Sequence, residues 1–213
     1  MEFLPADIQA YVEAHSDEET GLLAELNRET HTKVMMPRML SGHLQGRMLS
    51  MLSHMIQPKC ILEIGTYTGY SAICMAEGLA PDGQLITLDI NEELEGMVRD
   101  YFDKAGLTEK IDYRIGNAME LIPEIDAELD LVFIDADKKN YTNYFNLVFD
   151  KVRSGGFIIA DNVLWSGKVV QTEKKTDKDT QAILDFNRFV QEDDRVENVL
   201  FPVRDGLMVI RKK

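Results

Sequence analysis

Two unbroken apolar runs, Leu131-Val132-Phe133-Ile134-Asp135 and Gly156-Phe157-Ile158-Ile159-Ala160-Asp161-Asn162, each close on oxygen-bearing side chains. A run without polar alternation suits a strand covered on both faces, as in parallel sheets, where ligands gather beyond the carboxyl ends of the strands. Neighbouring strands lie about 4.8 Å apart. If these two pair, the Asp135 and Asp161 carboxylates and the Asn162 amide oxygen come within reach of one ion. An all-oxygen set of this kind suits a hard cation such as magnesium.

The remaining pattern extends the same architecture. The chain has 213 residues, enough for one sizeable α/β domain and short for two. Residues 1–57 read as helices: Pro5 to His15, then Asp17 as an N-cap for a helix to about Lys33, then Gly42 to Ile56. The last of these puts Leu44, Met48, Leu49, Leu52, Met55 and Ile56 on one face. Residues 58–213 alternate short apolar runs with helical segments. The runs are Cys60–Ile64, Gln84–Asp89, Ile111–Ile115, Asp130–Asp135 and Phe157–Asp161. Val196–Val203 and Leu207–Arg211 flank Arg204-Asp205-Gly206, a hairpin turn signal. The expected fold is a single α/β domain, a doubly wound, mostly parallel seven-stranded sheet with a terminal antiparallel hairpin.

Charge and composition narrow the function. Lys plus Arg number 23 against 37 Asp plus Glu, a formal charge of −14, which repels nucleic-acid phosphates at long range. The best local exception is Lys168, Lys174, Lys175 and Lys178, for which a solvated loop is the ordinary reading. No stretch approaches the roughly 20 apolar residues of a membrane span, and Met-Glu-Phe-Leu-Pro-Ala-Asp lacks a secretory leader's basic start. A cytoplasmic protein is expected, with Cys60 and Cys74 as small buried hydrophobes. His15, His31, His43 and His54 show no metal-ligand spacing; helix-surface or packing roles are expected for all four, with approach to a ligand pocket the alternative for His43. Gly-x-Ser-x-Gly and Walker-type loops are absent from the sequence.

Three strand ends describe a ligand. Glu63-Ile64-Gly65-Thr66-Tyr67-Thr68-Gly69-Tyr70-Ser71 leads from a strand into a helix, where glycines admit a ligand to the backbone and free N–H groups meet an anion. Its Gly-x-x-x-Gly spacing lacks the middle glycine of the dinucleotide fingerprint, which favours a small carboxylate over a pyrophosphate. Asp89 follows Gly69 by 20 residues. Two roles are open to it: acceptor from ribose hydroxyls, or N-cap of the segment starting at Asn91. Gly116-Asn117-Ala118 leaves room for a flat base. Together these ends describe a nucleoside with a charged tail. In Asp135-Ala136-Asp137-Lys138, a cation at Asp135 disfavours the charged form of Lys138 and Asp137 favours it. With the first effect dominant, Lys138 serves as a general base.

Together these residues resemble the cation-dependent O-methyltransferases that use S-adenosylmethionine, the group holding catechol and caffeoyl-CoA O-methyltransferases, over about Met39 to Gly206. The resemblance implies a class I, Rossmann-like methyltransferase in which Glu63, Gly65, Tyr67, Gly69, Tyr70 and Ser71 bind the methionine end of the cofactor. It places Asp89 at the ribose, Ala118 at the adenine, and Met39 and Ser41 over the cofactor, with Asp135 bordering it. Asp135, Asp161 and Asn162 fall on the family's metal ligands, for Mg2+ or another divalent ion such as Ca2+ or Mn2+, and Lys138 on its catalytic lysine. Trp165, Arg204 and Asp205 are the candidate substrate contacts. The glutamate that grips the second catechol hydroxyl in the animal branch falls on Val199. The implied acceptor is a small vicinal dihydroxy aromatic, with a hydroxyuridine of tRNA as the alternative, and the implied assembly is a homodimer.

Overall fold

The structure is a computed structural model that describes residues 5–171 and 176–213. Three helices come first: α1 (Ala6–Ala14), α2 (Gly21–Lys33) and α3 (Gly42–Ile56). The sheet-bearing part runs β1 (Cys60–Ile64), α4 (Tyr70–Ala76), β2 (Gln84–Asp89), α5 (Glu95–Lys104), β3 (Ile111–Ile115) and α6 (Ala118–Leu121). It continues with β4 (Leu129–Ile134), α7 (Tyr141–Phe149), β5 (Val152–Asp161), α8 (Lys178–Glu192), β6 (Val196–Phe201) and β7 (Leu207–Lys212).

The seven strands form one sheet in the order β3-β2-β1-β4-β5-β7-β6, parallel from β3 to β5, with β7 antiparallel to both β5 and β6. This is the expected doubly wound sheet with a terminal hairpin. Because side chains alternate across a strand, each face has its own core. Leu62, Ile64, Val132, Ile134 and Ile158 pack against Phe145 of α7 and Phe186 of α8. On the other face Ile61, Leu85, Leu131, Phe133 and Ile159 pack against Leu26 of α2, Leu49 of α3 and Tyr101 of α5. Helix α3 reaches α4 through Gly46, where an added Cβ would lie 2.6 Å from Tyr70 Cε1 and 2.8 Å from Cys74 Sγ.

The starts of α2 and β5 and the burial of one cysteine differ from the sequence expectation. Helix α2 begins at Gly21 with Thr20 as its N-cap residue, so Asp17 caps nothing; instead its carbonyl pairs with His43 Nε2 at 2.6 Å. Strand β5 begins at Val152, five residues early, because Gly155 with φ of 76° accommodates a register shift between β4 and β5. Read alone, the glycine pair signals a break; inside a sheet it makes a bulge. Cys74 is buried as expected, but Cys60 is only partly covered.

One acid sits inside the sheet. Glu63 of β1 is fully buried, and its two carboxylate oxygens accept hydrogen bonds from Ser71 Oγ and Thr87 Oγ1, each at 2.5 Å. Burial pushes this carboxyl up to about 8 from an ordinary 4.5, against the pull of those two hydroxyls. Across that window the folded chain holds a proton that the unfolded chain has released, so stability falls as pH rises from about 4.5 to about 8. We expect Glu63→Gln to flatten the decline of the melting temperature over this range, the wild-type loss attributable to Glu63 being on the order of a few kcal/mol. Parallel melting-temperature profiles for the two proteins would show that Glu63 is not the source.

Candidate active site

A cleft of about 2360 Å³ runs along the carboxyl ends of the parallel strands, roofed by α3 and the segment before it. It opens where the strand order reverses between β1 and β4, because α4 leaves on one face of the sheet and α7 on the other. At this point Gly65 has φ of 102°, and a Cβ there would sit 2.0 Å from the Asp135 carbonyl oxygen. Only glycine fits. The loop then brings Tyr67 N to donate to Asp89 Oδ2 at 2.7 Å, while Asn91 N donates to Asp89 Oδ1 at 2.8 Å. Asp89 is thereby pinned at the cleft wall by two backbone donors. Asn91 caps the following turn, its side chain accepting from Glu93 N at 3.0 Å. Tyr67 Oη donates to the Met36 carbonyl at 3.2 Å, tying the loop to the roof.

Met39, Ser41, Gly65, Tyr67, Tyr70, Ser71, Asp89, Ala118 and Asp135 all line the cleft. Glu63 and Gly69 do not. Glu63 lies behind the loop and braces Ser71 from below. Gly69, with φ of 86°, turns the chain into α4, and a Cβ there would meet the Phe102 ring at 2.7 Å, so packing against α5 demands this glycine.

The oxygen cluster follows from register. Ile134 pairs with Ala160, which sets Asp135 and Asp161 abreast one residue further on. Lys138, only 9% exposed, donates to Asp135 Oδ1 at 3.2 Å, Asn162 Oδ1 at 2.7 Å and Tyr141 Oη at 2.6 Å, using all three of its N–H bonds. Tyr141 is fully buried and passes the interaction on by donating to the Asp161 carbonyl at 2.9 Å. Asp161 is 2% exposed; its Oδ1 accepts from Asn162 N and its Oδ2 from Gln45 Nε2, both at 2.6 Å. Burial and then the neighbouring Asp135 charge raise the Asp161 carboxyl well above the usual range. Of the two neighbouring carboxylates only Asp135 is paired with the lysine, and a further positive charge would relieve the pair.

Among the described residues no group of three His, Cys, Asp or Glu side chains is placed to hold a metal. The candidate set is two carboxylates and an amide, whose hard oxygens suit a divalent ion of the magnesium class. Asp135 Oδ1 and Asn162 Oδ1 already converge on one cationic nitrogen.

Beyond this cluster, Trp165, Ser166 and Gly167 take φ values of 47°, 53° and 72°, a strained corner held by Ser166 N donating to Asp205 Oδ1 at 2.5 Å. The Trp165 ring lies between Lys138 and Lys168, each 5.7 Å from its centroid. Its buried indole N–H has no hydrogen-bond partner among the described residues. Arg204 donates to the Leu40 carbonyl at 3.1 Å and to Gln45 Oε1 at 3.4 Å. Trp165, Arg204, Asp205 and His43 line the cleft. Val199 does not; it sits on β6, 49% exposed. Of the basic patch, Lys168 is paired with Asp177 at 2.9 Å and Lys178 opens α8, while Lys174 and Lys175 lie outside the described residues. Sequence reasoning missed Tyr141 and Gln45. Tyr141 had a signal, its spacing of three from Lys138; Gln45 had none.

The chain matches the family model described as O-methyltransferase over residues 13–213. It is 36% identical to caffeoyl-CoA O-methyltransferase 1 of Arabidopsis thaliana across 79% of this chain and 69% of that protein. A solved structure of a Podospora anserina methyltransferase with SAH bound superposes with a TM-score of 0.89 at 29% identity, covering 97% of this chain and 94% of that one. An O-methyltransferase from Bacillus cereus in complex with SAH does so with a TM-score of 0.89 at 28% identity, covering 97% of each chain. With the glycine turn and the pinned acid in place at the strand ends, these likenesses make the chain a member of the O-methyltransferase family.

Proposed function

We propose that the protein transfers a methyl group from S-adenosylmethionine to a hydroxyl oxygen of a small vicinal dihydroxy aromatic acceptor, assisted by a divalent cation at Asp135, Asp161 and Asn162. The observation that carries the reading is the convergence of these oxygens and Lys138 at the edge of the cleft that Gly65, Tyr67 and Asp89 line. S-adenosylmethionine supplies an electrophilic methyl on a sulfonium, and a divalent cation supplies Lewis acidity toward a chelating diol.

The chain's own residues do the rest. Asp89, immobilised by the backbone of Tyr67 and Asn91, presents acceptors to ribose hydroxyls. The loop from Gly65 to Ser71 offers backbone approach to the methionine end, and Ala118 leaves space for the base. Lys138 stands beside the acceptor site as the group that takes the hydroxyl proton, positioned by Tyr141 below it. The Trp165 ring stands beside Lys138, and the strained corner at 165–167 holds it in place. Holding both reactants in one orientation is itself a large part of the acceleration. A tRNA acceptor fits less well, since the chain carries −14 and Lys168 is paired with Asp177.

Labelled S-adenosylmethionine, offered with a panel of catechols or with total tRNA, tests the reading; transfer to tRNA alone would replace the acceptor class. We expect activity to require a divalent cation and Asp161→Ala to abolish it while cofactor affinity stays within a few-fold; full activity in excess chelator removes the cation assignment. Asp89→Ala is expected to weaken S-adenosylmethionine binding roughly tenfold or more, as loss of charge-assisted hydrogen bonds does, measured by calorimetry. For Lys138, replacement by Met is expected to lower turnover by about 10²–10⁴-fold with cofactor binding retained. Arginine keeps the charge but holds its proton at working pH, so a Lys138→Arg enzyme with near-normal single-turnover rate would assign Lys138 to electrostatic positioning instead.

A further inference from the structure

We infer that Gln45 is a positioning residue for the Asp161 carboxylate, held in a single orientation by Arg204. The inference rests on the reading of Asp161 as a cation ligand. Gln45 comes from α3, 116 residues away in sequence, and is 1% exposed at the inner wall of the cleft. Its two ends meet partners of opposite character. Nε2 donates to Asp161 Oδ2 at 2.6 Å, and Oε1 accepts from Arg204 Nη1 at 3.4 Å.

An ionised carboxylate only accepts and a guanidinium only donates. Turning the amide over would set oxygen against the carboxylate and NH2 against the guanidinium, losing both bonds. Arg204 is itself anchored by the Leu40 carbonyl at 3.1 Å, just ahead of α3. The amide therefore has one setting.

The result for Asp161 is geometric. Oδ2 is held by Gln45 and Oδ1 by Asn162 N at 2.6 Å, so each oxygen has one fixed donor and the plane of the carboxylate is set. The remaining lone pairs stay available for a cation. Asp161 makes no ion pair among the described residues, so these two hydrogen bonds are its principal restraint. Groups that orient a metal-binding side chain in this way typically change metal affinity by 10–100-fold when removed. The arrangement also joins three parts of the chain: the helical roof, the β6–β7 turn that carries Arg204, and the end of β5.

The test is Mn2+ binding by the full chain, followed by electron paramagnetic resonance, with SAH affinity and melting temperature measured alongside. Methionine matches glutamine in length without its hydrogen bonds. Gln45→Met is expected to raise the Mn2+ dissociation constant about 10–100-fold while SAH affinity changes by less than about twofold. Arg204→Met is expected to raise it several-fold, and the double variant to bind no more weakly than Gln45→Met, since the two act through one path. Wild-type Mn2+ binding with unchanged affinity in Gln45→Met overturns this inference alone. Absence of Mn2+ binding by the wild type overturns the cation reading and this inference with it. Should Gln45→Met fail to fold, Arg204→Met decides: weaker binding supports the inference and unchanged binding overturns it.

Discussion

The contact between Gly65 and the Asp135 carbonyl, where a Cβ would have only 2.0 Å, is the constraint on which the cleft depends. It lies between the central strands β1 and β4, whose following helices depart to opposite faces of the sheet. Divergent helices open a crevice; close strands keep its floor narrow. A side chain at residue 65 would push the two loops apart and with them Asp89, whose position depends on Tyr67 N, and Asp135, whose N–H bonds the Ile64 carbonyl at 2.9 Å. The pinned Asp89 and the oxygen cluster are thus both set by one backbone contact.

The same sheet carries a concentration of acidic groups that its apolar cores do not welcome. Glu63, Asp89, Asp135 and Asp161 project to one face, each from a neighbouring strand or the residue just beyond it. The chain manages them in different ways. Glu63 is fully buried among hydroxyls and tends to keep its proton. Asp89 takes two backbone donors at the cleft wall. Asp135 and Asp161 stand beside a single lysine, with Tyr141 and Gln45 supplying further polar contacts. Retaining buried like charges side by side costs stability, and that cost is concentrated at the carboxyl ends of β4 and β5.

Much of the fold was legible because its signals are local. Apolar runs of five or six residues, separated by helix-length segments, specify a parallel sheet, and β1, β2 and β3 occur at the expected residues. The misjudged boundaries at Asp17 and Val152 have tertiary causes: a histidine from α3 uses the Asp17 carbonyl, and a bulge lets the glycine pair remain in the sheet. At the site, side chains that end strands were readable because ligands collect there. Roles set by packing were not. Gly69 seemed a loop glycine admitting a ligand, yet the Phe102 ring is what requires it.

By itself the sequence determined the strand and helix succession, the glycine turn after β1 and the oxygen-bearing ends of β4 and β5, since hydrophobic period and turn chemistry act over a few residues. Tertiary structure alone decided that Glu63 is a buried brace outside the cleft, that Tyr141 supports Lys138, and that Gln45 reaches Asp161 across 116 residues. Such partners are chosen by which helix packs over which strand end. No spacing along the chain encodes a hydrogen bond between two elements whose approach is fixed only when both cores have closed around the sheet.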